Sequence, residues 1–464
     1  MASSKLSLDD YIGSKEETIA KRYLKMITTE NDFPPHGTCG FYNLTIKTSN
    51  ADQGTCFTDA MINLQLIDDC RTAVRQHYEY GFPKCALVFM KDLVNVSILK
   101  AFVADGVKAI EKYTDSRQAF LALLKFLYDK GRHEQSIKKL INSTAGNKKT
   151  NIMDALAHHL FSQLIPDKKY GVDKYAKNFP RECGCGCQAR ICEGNTSMGS
   201  QDTWHGRVDI LLNRTIAVAV REEDSNVEKD KDDDTDEDGD IDEDGDTDKD
   251  GDIDEDGDID KDGDIDEDGD IDEDDDTDED GDTDKGEPPH KQRKVGKCES
   301  CVEDEVTKKY GSVLLDQKVL NEILAESITN GFAQVNMNKG TLSDFFIPTF
   351  GATSHHVSIC LYDSVNDYLL HTKNELPLWC PGDEMLGQLD TTTIVVIWLF
   401  LNFTLFTRNK LHASLDLDKS GLHVQLKEQL QYYRGAETGG SPVSQTSVPW
   451  LWKYVQPSPI LCKE

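Results

Sequence analysis

The sequence lacks an apolar segment long enough to cross a bilayer as a helix. Its longest apolar run, residues 394–406, is interrupted by Asn402 and falls short of the roughly 20 residues that a spanning helix needs. The N-terminal segment lacks the apolar core of a signal peptide, and the 13 cysteines are an odd number, which favours reduced thiols over a disulfide framework. We therefore expect a soluble protein of the cytoplasm or nucleus, without a membrane partner.

Motifs of several common enzyme classes are also missing. The sequence contains no glycine-rich nucleotide-binding loop, and no recognisable catalytic set of Ser, His and Asp or of Cys and His. We therefore expect no nucleotide cofactor. The sequence likewise gives no support to a hydrolase with an activated serine or cysteine nucleophile.

A basic excess is missing as well, once the charge is located. The net charge of −33 arises in residues 230–284, which hold 36 acidic side chains and three lysines, whereas the rest of the chain has 48 acidic and 48 basic side chains. A nucleic-acid-binding groove normally needs a positive field. The one compact basic run, 290–297, directly follows the acidic segment, which would compete with a phosphate backbone for it. The acidic segment therefore predicts an internal mimic of nucleic acid or a surface that attracts basic proteins.

The acidic segment repeats with a period of six residues, in units of the form Asp-Ile/Thr-Asp-Glu/Lys-Asp-Gly. One unit resembles the first half of an EF-hand calcium loop, because Asp240, Asp242 and Asp244 occupy positions one, three and five and Gly245 provides the turn. Gly251 replaces the bidentate glutamate of position twelve. The pattern predicts weak calcium binding at several sites. The alternative is a disordered, self-repelling acidic linker without a bound ion.

The remaining patterns divide the chain into five regions. Apolar residues recur at three- and four-residue steps in 1–149, which predicts an all-helical N-terminal region. Segments 150–222 and 298–434 alternate helix and strand patterns, which predicts an α/β core interrupted by the acidic insert 223–297. Residues 435–464 are the C-terminal tail, in which 435–447, rich in Gly, Ser, Pro and Thr, predict a flexible loop before an aromatic anchor at Trp450 and Trp452.

Two apolar strands form the centre of the predicted core. They span 208–212 and 216–220 and are joined by a tight Asn-Arg turn, and their nearly continuous apolar character is typical of strands buried on both faces. Asp209 is the anomaly in the first strand. An ionised side chain there is costly unless it is paired or binds a metal.

Amphipathic helices are predicted on either side of these strands. The first begins near Thr150 and carries Asp154. The second follows the insert, over about 316–329, with a glycine at position 331 as its stop. A strand is predicted over 345–347, and two further strands, over 356–362 and 368–370, are predicted to form a hairpin.

This order of elements, with an Asp that follows Gly206-Arg207-Val208 at the start of an apolar strand, resembles the core of the PD-(D/E)XK nuclease superfamily. The resemblance implies a restriction-endonuclease-like αβα fold over 150–370, without the insert. In this family two carboxylates near the ends of adjacent strands hold a divalent metal, and a lysine two residues after the second carboxylate assists. Asp209 matches the first carboxylate. Ala219 and Arg221 stand where the second carboxylate and the lysine would be.

The resemblance leaves three hypotheses for this site. Without the second carboxylate, the core is an inactive scaffold that serves as a binding or interaction module. In the runner-up, the chain is a magnesium-dependent nuclease of DNA or RNA that uses Asp209 and Glu222, with Asp154 as a third ligand, although no lysine then follows at the required position. In the third, Asp209 is structural and pairs with Arg207 or Arg221 to hold the hairpin.

The cysteines give the stronger metal signal. A closed zinc site needs four soft ligands, usually supplied by two close pairs. The predicted ligands are Cys187, Cys192, Cys298 and Cys301, with Cys183 and Cys185 as alternates. Such a site would clamp the base of the insert. The alternative is a set of reduced thiols in a glycine-rich loop that binds no metal.

Overall fold

The computed structural model describes residues 7–28, 40–64, 87–144, 146–176, 181–223, 313–381, 386–408, 411, 415 and 417–439. The predicted calcium ligands Asp240, Asp242 and Asp244 and the predicted zinc ligands Cys298 and Cys301 lie outside these ranges. Most of the acidic insert and of the C-terminal tail lies outside them too. All described residues belong to one compact unit of the chain.

The described chain contains both helices and strands. The α-helices are α1 (Lys15–Thr28), α2 (Met90–Leu93), α3 (Val96–Asp105), α4 (Val107–Ile110), α5 (Thr114–Ile141), α6 (Lys148–His159), α7 (Gln317–Met337), α8 (Thr391–Leu401), α9 (Phe403–Phe406), α10 (Leu422–Leu426) and α11 (Leu430–Arg434). The strands are β1 (Gly40–Leu44), β2 (Ile46–Ser49), β3 (Ile62–Leu64), β4 (Leu87–Phe89), β5 (Tyr170–Asp173), β6 (Glu193–Gly194), β7 (Ser197–Met198), β8 (Gly206–Arg207), β9 (Ile210–Leu212), β10 (Ile216–Val220), β11 (Ile347–Ala352), β12 (His356–Asp363), β13 (Tyr368–Thr372) and β14 (Leu376–Pro377).

A large mixed sheet of ten strands organises the fold. Its order is β4-β1-β13-β12-β11-β10-β9-β5-β6, and β14 pairs with β12. Most neighbouring strands are antiparallel, but β10 runs parallel to β11, and β5 runs parallel to β6. A parallel pair requires a crossover connection, and α7 lies between β10 and β11 in the chain. The prediction of a mixed α/β fold is therefore confirmed.

The hairpin of β9 and β10 forms where its sequence predicts it. Asn213 and Arg214 both have positive φ, of 48° and 60°, which is the pattern of a type I′ turn. The Thr215 amide closes the turn by donating to the Leu212 carbonyl at 2.9 Å. Every residue of β10 is buried, as expected for a strand covered on both faces.

The sheet separates two layers of core side chains. On one face, α1, α3, α5, α6 and α8 pack against side chains that include Val218 and Val220. On the other face, α7, α10 and α11 pack against side chains that include Ala217 and Ala219. Because side chains alternate along a strand, Arg221 continues the alanine series and is directed toward α7.

Helix α7 is longer than its sequence predicts. Asp316 caps it by accepting hydrogen bonds from two amides of the first turn. The helix then continues through Gly331 to Met337, so the predicted stop at Gly331 was wrong. A Cβ atom at this glycine would lie 2.7 Å from Tyr362 Cδ1. The close approach of α7 to β12 therefore requires the glycine, and not the end of the helix.

The N-terminal region is not all-helical, which corrects the prediction for residues 1–149. Helices α1 to α5 are present, but β1 pairs with β13 and β4 pairs with β1, so this region extends the large sheet. Strands β2 and β3 form a separate pair. These strands contain three to five residues, and β13 lies in the C-terminal part of the chain. Local periodicity therefore gives little sign of them.

The longest apolar run of the sequence is helical. It forms α8 and α9, and Trp398 of α8 donates from Nε1 to the Ala119 carbonyl of α5 at 2.8 Å. This run is therefore part of the protein core. No helix within the described ranges is both long and apolar enough to span a membrane.

Candidate functional site

Asp209 lies directly before β9, and two cations and a backbone amide hold its carboxylate. Its Oδ2 accepts hydrogen bonds from the Val220 amide at 2.7 Å and from Arg221 Nη1 at 3.2 Å. Its Oδ1 forms an ion pair with Lys149 Nζ at 2.8 Å. The side chain of Asp209 is 14% exposed. Both oxygens are thus occupied, as a mostly buried carboxylate requires.

Two elements bring these cations to Asp209. The hairpin places Arg221 beside the start of β9, where it pairs with Asp209. A structural role for Asp209 requires such a pairing. Lys149 lies in the first turn of α6. The side chain of Asn147 caps this helix by accepting a hydrogen bond from the Thr150 amide at 3.1 Å, which fixes where the first turn begins.

Two glutamates of α7 that sequence reasoning missed complete this cluster. Arg221 Nη2 forms an ion pair with Glu322 Oε2 at 2.5 Å. Glu326, one turn later, is 1% exposed, and its Oε2 has no hydrogen-bond partner among the residues that the structure describes. The two glutamates are four residues apart in a helix with many apolar residues, and this spacing could have identified them from the sequence. We call Asp209, Lys149, Arg221, Glu322 and Glu326 the Asp209 cluster.

The Asp209 cluster contains three carboxyl groups and two cations. Burial raises the pKa of Glu326 well above that of an ordinary glutamate, because little solvent is available to stabilise its charge. With Glu326 neutral, Lys149 and Arg221 balance the formal charges of Asp209 and Glu322. Asp209 and Glu322 are therefore both paired with cations in direct contact.

The ligands predicted for a divalent metal do not converge at Asp209. Ala219 has no ligand atom, and the only compact group of three or more metal-ligand side chains in the described ranges lies elsewhere. Glu222, the acid of the nuclease hypothesis, accepts a hydrogen bond from a backbone amide of α6 at 2.9 Å. Asp154, the predicted third ligand, lies beside Cys183. Of the residues that the sequence analysis assigns to this site, Arg221 lies in direct contact with Asp209.

A second polar cluster, also missed, lies just after β10. Glu223 contacts His355 Nδ1 and lies 3.6 Å from His356 Nδ1. Burial by itself would raise the pKa of Glu223. The hydrogen bond with His355 acts in the opposite direction, and the pKa is lowered. His356 Nδ1 also lies 3.8 Å from Glu375, whose Oε1 accepts a hydrogen bond from the Leu314 amide at 2.9 Å. These contacts connect Glu223, on the N-terminal side of the acidic insert, to Leu314 on its C-terminal side.

A third cluster joins the end of α6 to the loop before β6. His159 is the last residue of α6, and its Nε2 lies 3.2 Å from Cys183 Sγ and 3.3 Å from Cys185 Sγ. The ligand atoms of these residues and of Cys187 all lie within 4.8 Å of one another. We call this set the thiol cluster. It is a candidate buried metal site, and its ligand types are consistent with structural zinc.

The local sequence shapes the thiol cluster. Gly186 and Gln188 have φ of 90° and 60°, which turns the C-x-C-x-C segment back on itself. Burial lowers the pKa of His159 to about 3, so its imidazole is neutral and has a lone pair for a ligand. Burial also raises the pKa of the Cys183 thiol. In the absence of a metal, that thiol therefore keeps its proton.

The thiol cluster differs from the predicted zinc site. Cys187 belongs to both, and Cys183 and Cys185 are the predicted alternates, but Cys192 is not part of the cluster. His159 was missed because it lies far from the cysteines in the sequence. The consecutive histidines at the end of a predicted helix were the available signal. The other one, His158, contacts the Tyr170 hydroxyl at 3.2 Å instead.

Asp154 lies beside the thiol cluster, next to Cys183 and Gly184. It is 1% exposed, and neither of its oxygens has a hydrogen-bond partner of ordinary geometry within the described chain. Burial raises the pKa of Asp154 to about 7. Because burying an unpaired charge is costly, folding shifts the equilibrium of the Asp154 carboxyl toward its protonated form.

No known family model matches this chain, and neither the curated proteins nor the solved structures provide a match. The functional inference therefore depends on the three clusters of this chain alone.

Proposed function

We propose that the protein is a non-catalytic binding or interaction protein, built on a PD-(D/E)XK-like core in which ion pairs take the place of the metal. The connectivity supports the core. Helix α6, strands β5, β9 and β10, helix α7 and strand β11 follow one another in the chain. Strands β5, β9 and β10 are antiparallel neighbours, and β11 is parallel to β10. Apart from β5 and the short strands β6 to β8, which the sequence did not predict, this order is that of the helix, strand, strand, helix and strand on which the sequence resemblance depends.

The observation that carries the proposal is that cations already contact both carboxylate oxygens of Asp209. A metal ion would have to displace Lys149 and Arg221 from its two oxygens, and Glu322 would lose its partner. Glu322 would then be a mostly buried carboxylate without its cation, and removing one partner of a buried ion pair costs about 3–5 kcal/mol. Ala219 offers no carboxylate that would offset this cost. The site therefore favours a scaffold over a catalyst.

A plasmid-nicking assay with magnesium or manganese tests this proposal. We expect the wild-type protein and Asp209→Ala to show the same background, because no metal site assembles. Asp202→Ala is the control, since Asp202 is exposed and lies outside the Asp209 cluster. Metal-dependent nicking that the wild type and Asp202→Ala share and Asp209→Ala lacks would refute the proposal.

A divalent-metal-dependent nuclease of DNA or RNA is the second candidate, and the two glutamates of α7 favour it. These carboxyl groups do not form a compact ligand group in the structure, so such a site needs a substrate phosphate to draw Arg221 away and side-chain movement to bring Asp209, Glu322 and Glu326 to one cation such as magnesium. Two variants separate this site from the one predicted from sequence. A nuclease that uses α7 tolerates Glu222→Ala and loses activity with Glu322→Ala, and the reverse pattern supports Glu222.

In this proposal, the acidic insert is the segment that binds a partner. Its repeats, with ligands such as Asp240, Asp242 and Asp244, would attract calcium weakly or bind a basic protein, or compete with nucleic acid for basic side chains. Circular dichroism of a 230–284 peptide with and without calcium tests calcium-driven folding. Deletion of 230–284 raises nucleic-acid affinity if the insert is a mimic. An unchanged spectrum together with unchanged affinity would leave the linker hypothesis and the binding of a basic protein.

A further inference from the structure

We propose that the thiol cluster is a closed zinc site whose complete ligand set is His159, Cys183, Cys185 and Cys187. Tetrahedral zinc, with bonds of about 2.3 Å to sulfur and about 2.0 Å to nitrogen, separates its ligand atoms by about 3.5 to 3.8 Å. The distances from His159 Nε2 to two of the sulfurs, 3.2 and 3.3 Å, are close to that range. All four ligand atoms lie within 4.8 Å of one another. A small contraction or expansion would fit them to one ion.

Without a metal, these four polar groups satisfy one another poorly. One nitrogen of His159 faces two sulfurs, and thiols are weak hydrogen-bond donors. His159 and Cys183 are each 4% exposed, so water does little to compensate. Thiolate and imidazole are ligands that zinc prefers, and one ion would satisfy all four groups together.

The ligand set favours a structural ion over a catalytic one. A catalytic zinc keeps one of its four positions for water or substrate. Here three thiolates and one imidazole would fill every position. Two of the four ligands are buried and two are half-buried, and with all four positions filled no coordination position is left for a substrate.

A neighbouring lysine and a backbone amide fit a centre that carries net negative charge. Zinc with three thiolates and a neutral imidazole has one excess negative charge. Lys139 of α5 lies next to it and donates from Nζ to the Cys185 carbonyl at 2.7 Å. A Cβ at Gly186 would be 3.4 Å from the same Nζ, so this lysine packs directly on the loop. The Cys187 amide donates to Cys185 Sγ at 3.3 Å, a contact that stabilises a thiolate.

The ion would anchor the C-terminal end of α6. The N-terminal end is already held, because Lys149 in its first turn pairs with Asp209. His159 ends the helix, and the loop that carries the thiols leads into β6, an edge strand paired with β5. Zinc would therefore connect α6 to the edge of the sheet. The base of the acidic insert would not be involved.

The full-length protein is expected to contain about one zinc ion per chain by inductively coupled plasma mass spectrometry. Cys185→Ser/Cys187→Ser removes two half-buried ligands and should abolish this content. Cys56→Ser is the matched control, because Cys56 is an exposed free thiol outside the cluster, and it should keep the zinc. Cys298→Ser/Cys301→Ser separates this site from a clamp at the base of the insert. It should keep the zinc as well.

Three results would overturn the proposal. They are a wild-type protein that stays free of zinc after incubation with the ion and desalting, zinc retained by Cys185→Ser/Cys187→Ser, and zinc lost from Cys298→Ser/Cys301→Ser. If the first double variant does not fold, cobalt substitution of the wild type decides. We expect intense thiolate-to-cobalt charge-transfer bands together with tetrahedral d–d bands, and their absence would refute a thiolate-rich site.

Hydrogen exchange tests the structural role separately. Removal of the ion should speed exchange in residues 181–192, since the loop then loses its connection to α6. Exchange that stays the same with and without zinc would contradict the anchoring role.

Discussion

Arg221 is the side chain on which the Asp209 cluster depends, and Arg221→Met tests that dependence. Its side chain is 14% exposed and forms ion pairs with both Asp209 and Glu322. Methionine keeps most of the apolar stem and removes the charge. We expect the free energy of unfolding to fall by about 3–5 kcal/mol, because two mostly buried carboxylates lose their shared cation.

The structure places the expected value near the lower end of that range. Lys149 still pairs with Asp209 after the substitution, which limits the loss there. Glu322 loses its cation, and the neutral Glu326 cannot replace it. A loss of about 3 kcal/mol is still a large part of the 5–15 kcal/mol that typically stabilises a protein.

Urea unfolding at pH 7, followed by the fluorescence of the buried tryptophans, measures this loss. Arg207→Met is the matched control, because the Arg207 side chain is 48% exposed and lies 4.0 Å from Asp173, and it should cost less than about 1 kcal/mol. Adding Glu322→Gln to Arg221→Met should recover part of the loss, since the unpaired charge is gone. If Arg221→Met costs no more than the control, buried ion pairs do not hold this site, and the reasoning fails.

Two further predictions concern α7. The pKa of Glu326 is raised above its unfolded value, so its protonated form contributes stability that is complete below about pH 4.3 and is lost as the pH rises through the folded pKa. Glu326→Gln should therefore flatten the fall in stability with rising pH in urea titrations, and an unchanged slope would contradict a buried acid. Gly331→Ala should destabilise the protein by about 1–3 kcal/mol, because the new Cβ meets Tyr362. Gly131→Ala in α5, where a Cβ meets open space, should instead add up to about 1 kcal/mol, and equal effects of the two alanines would argue against the close helix packing.

Elements with strong local signals could be predicted around the Asp209 cluster. The apolar runs and the Asn-Arg turn predict the hairpin, because turn geometry and side-chain alternation are properties of neighbouring residues. Alternation also predicts the strands 356–362 and 368–370, which the structure has as β12 and β13. The cap of α7 at Asp316 is local in the same sense, whereas its C-terminal end is not. Glycine is a residue type that often ends a helix, but Gly331 lies within α7 and allows its close packing against Tyr362.

The candidate sites depended on contacts between distant segments. Sequence by itself determined the hairpin, the position of Asp209 and Arg221 within it, and a group of cysteines suited to a metal. Only the tertiary structure decided that Glu322 and Glu326 meet this hairpin, and that His159 joins Cys183, Cys185 and Cys187 in one cluster. Periodicity reports which face of an element is apolar, but a pairing between elements depends on how the whole chain packs.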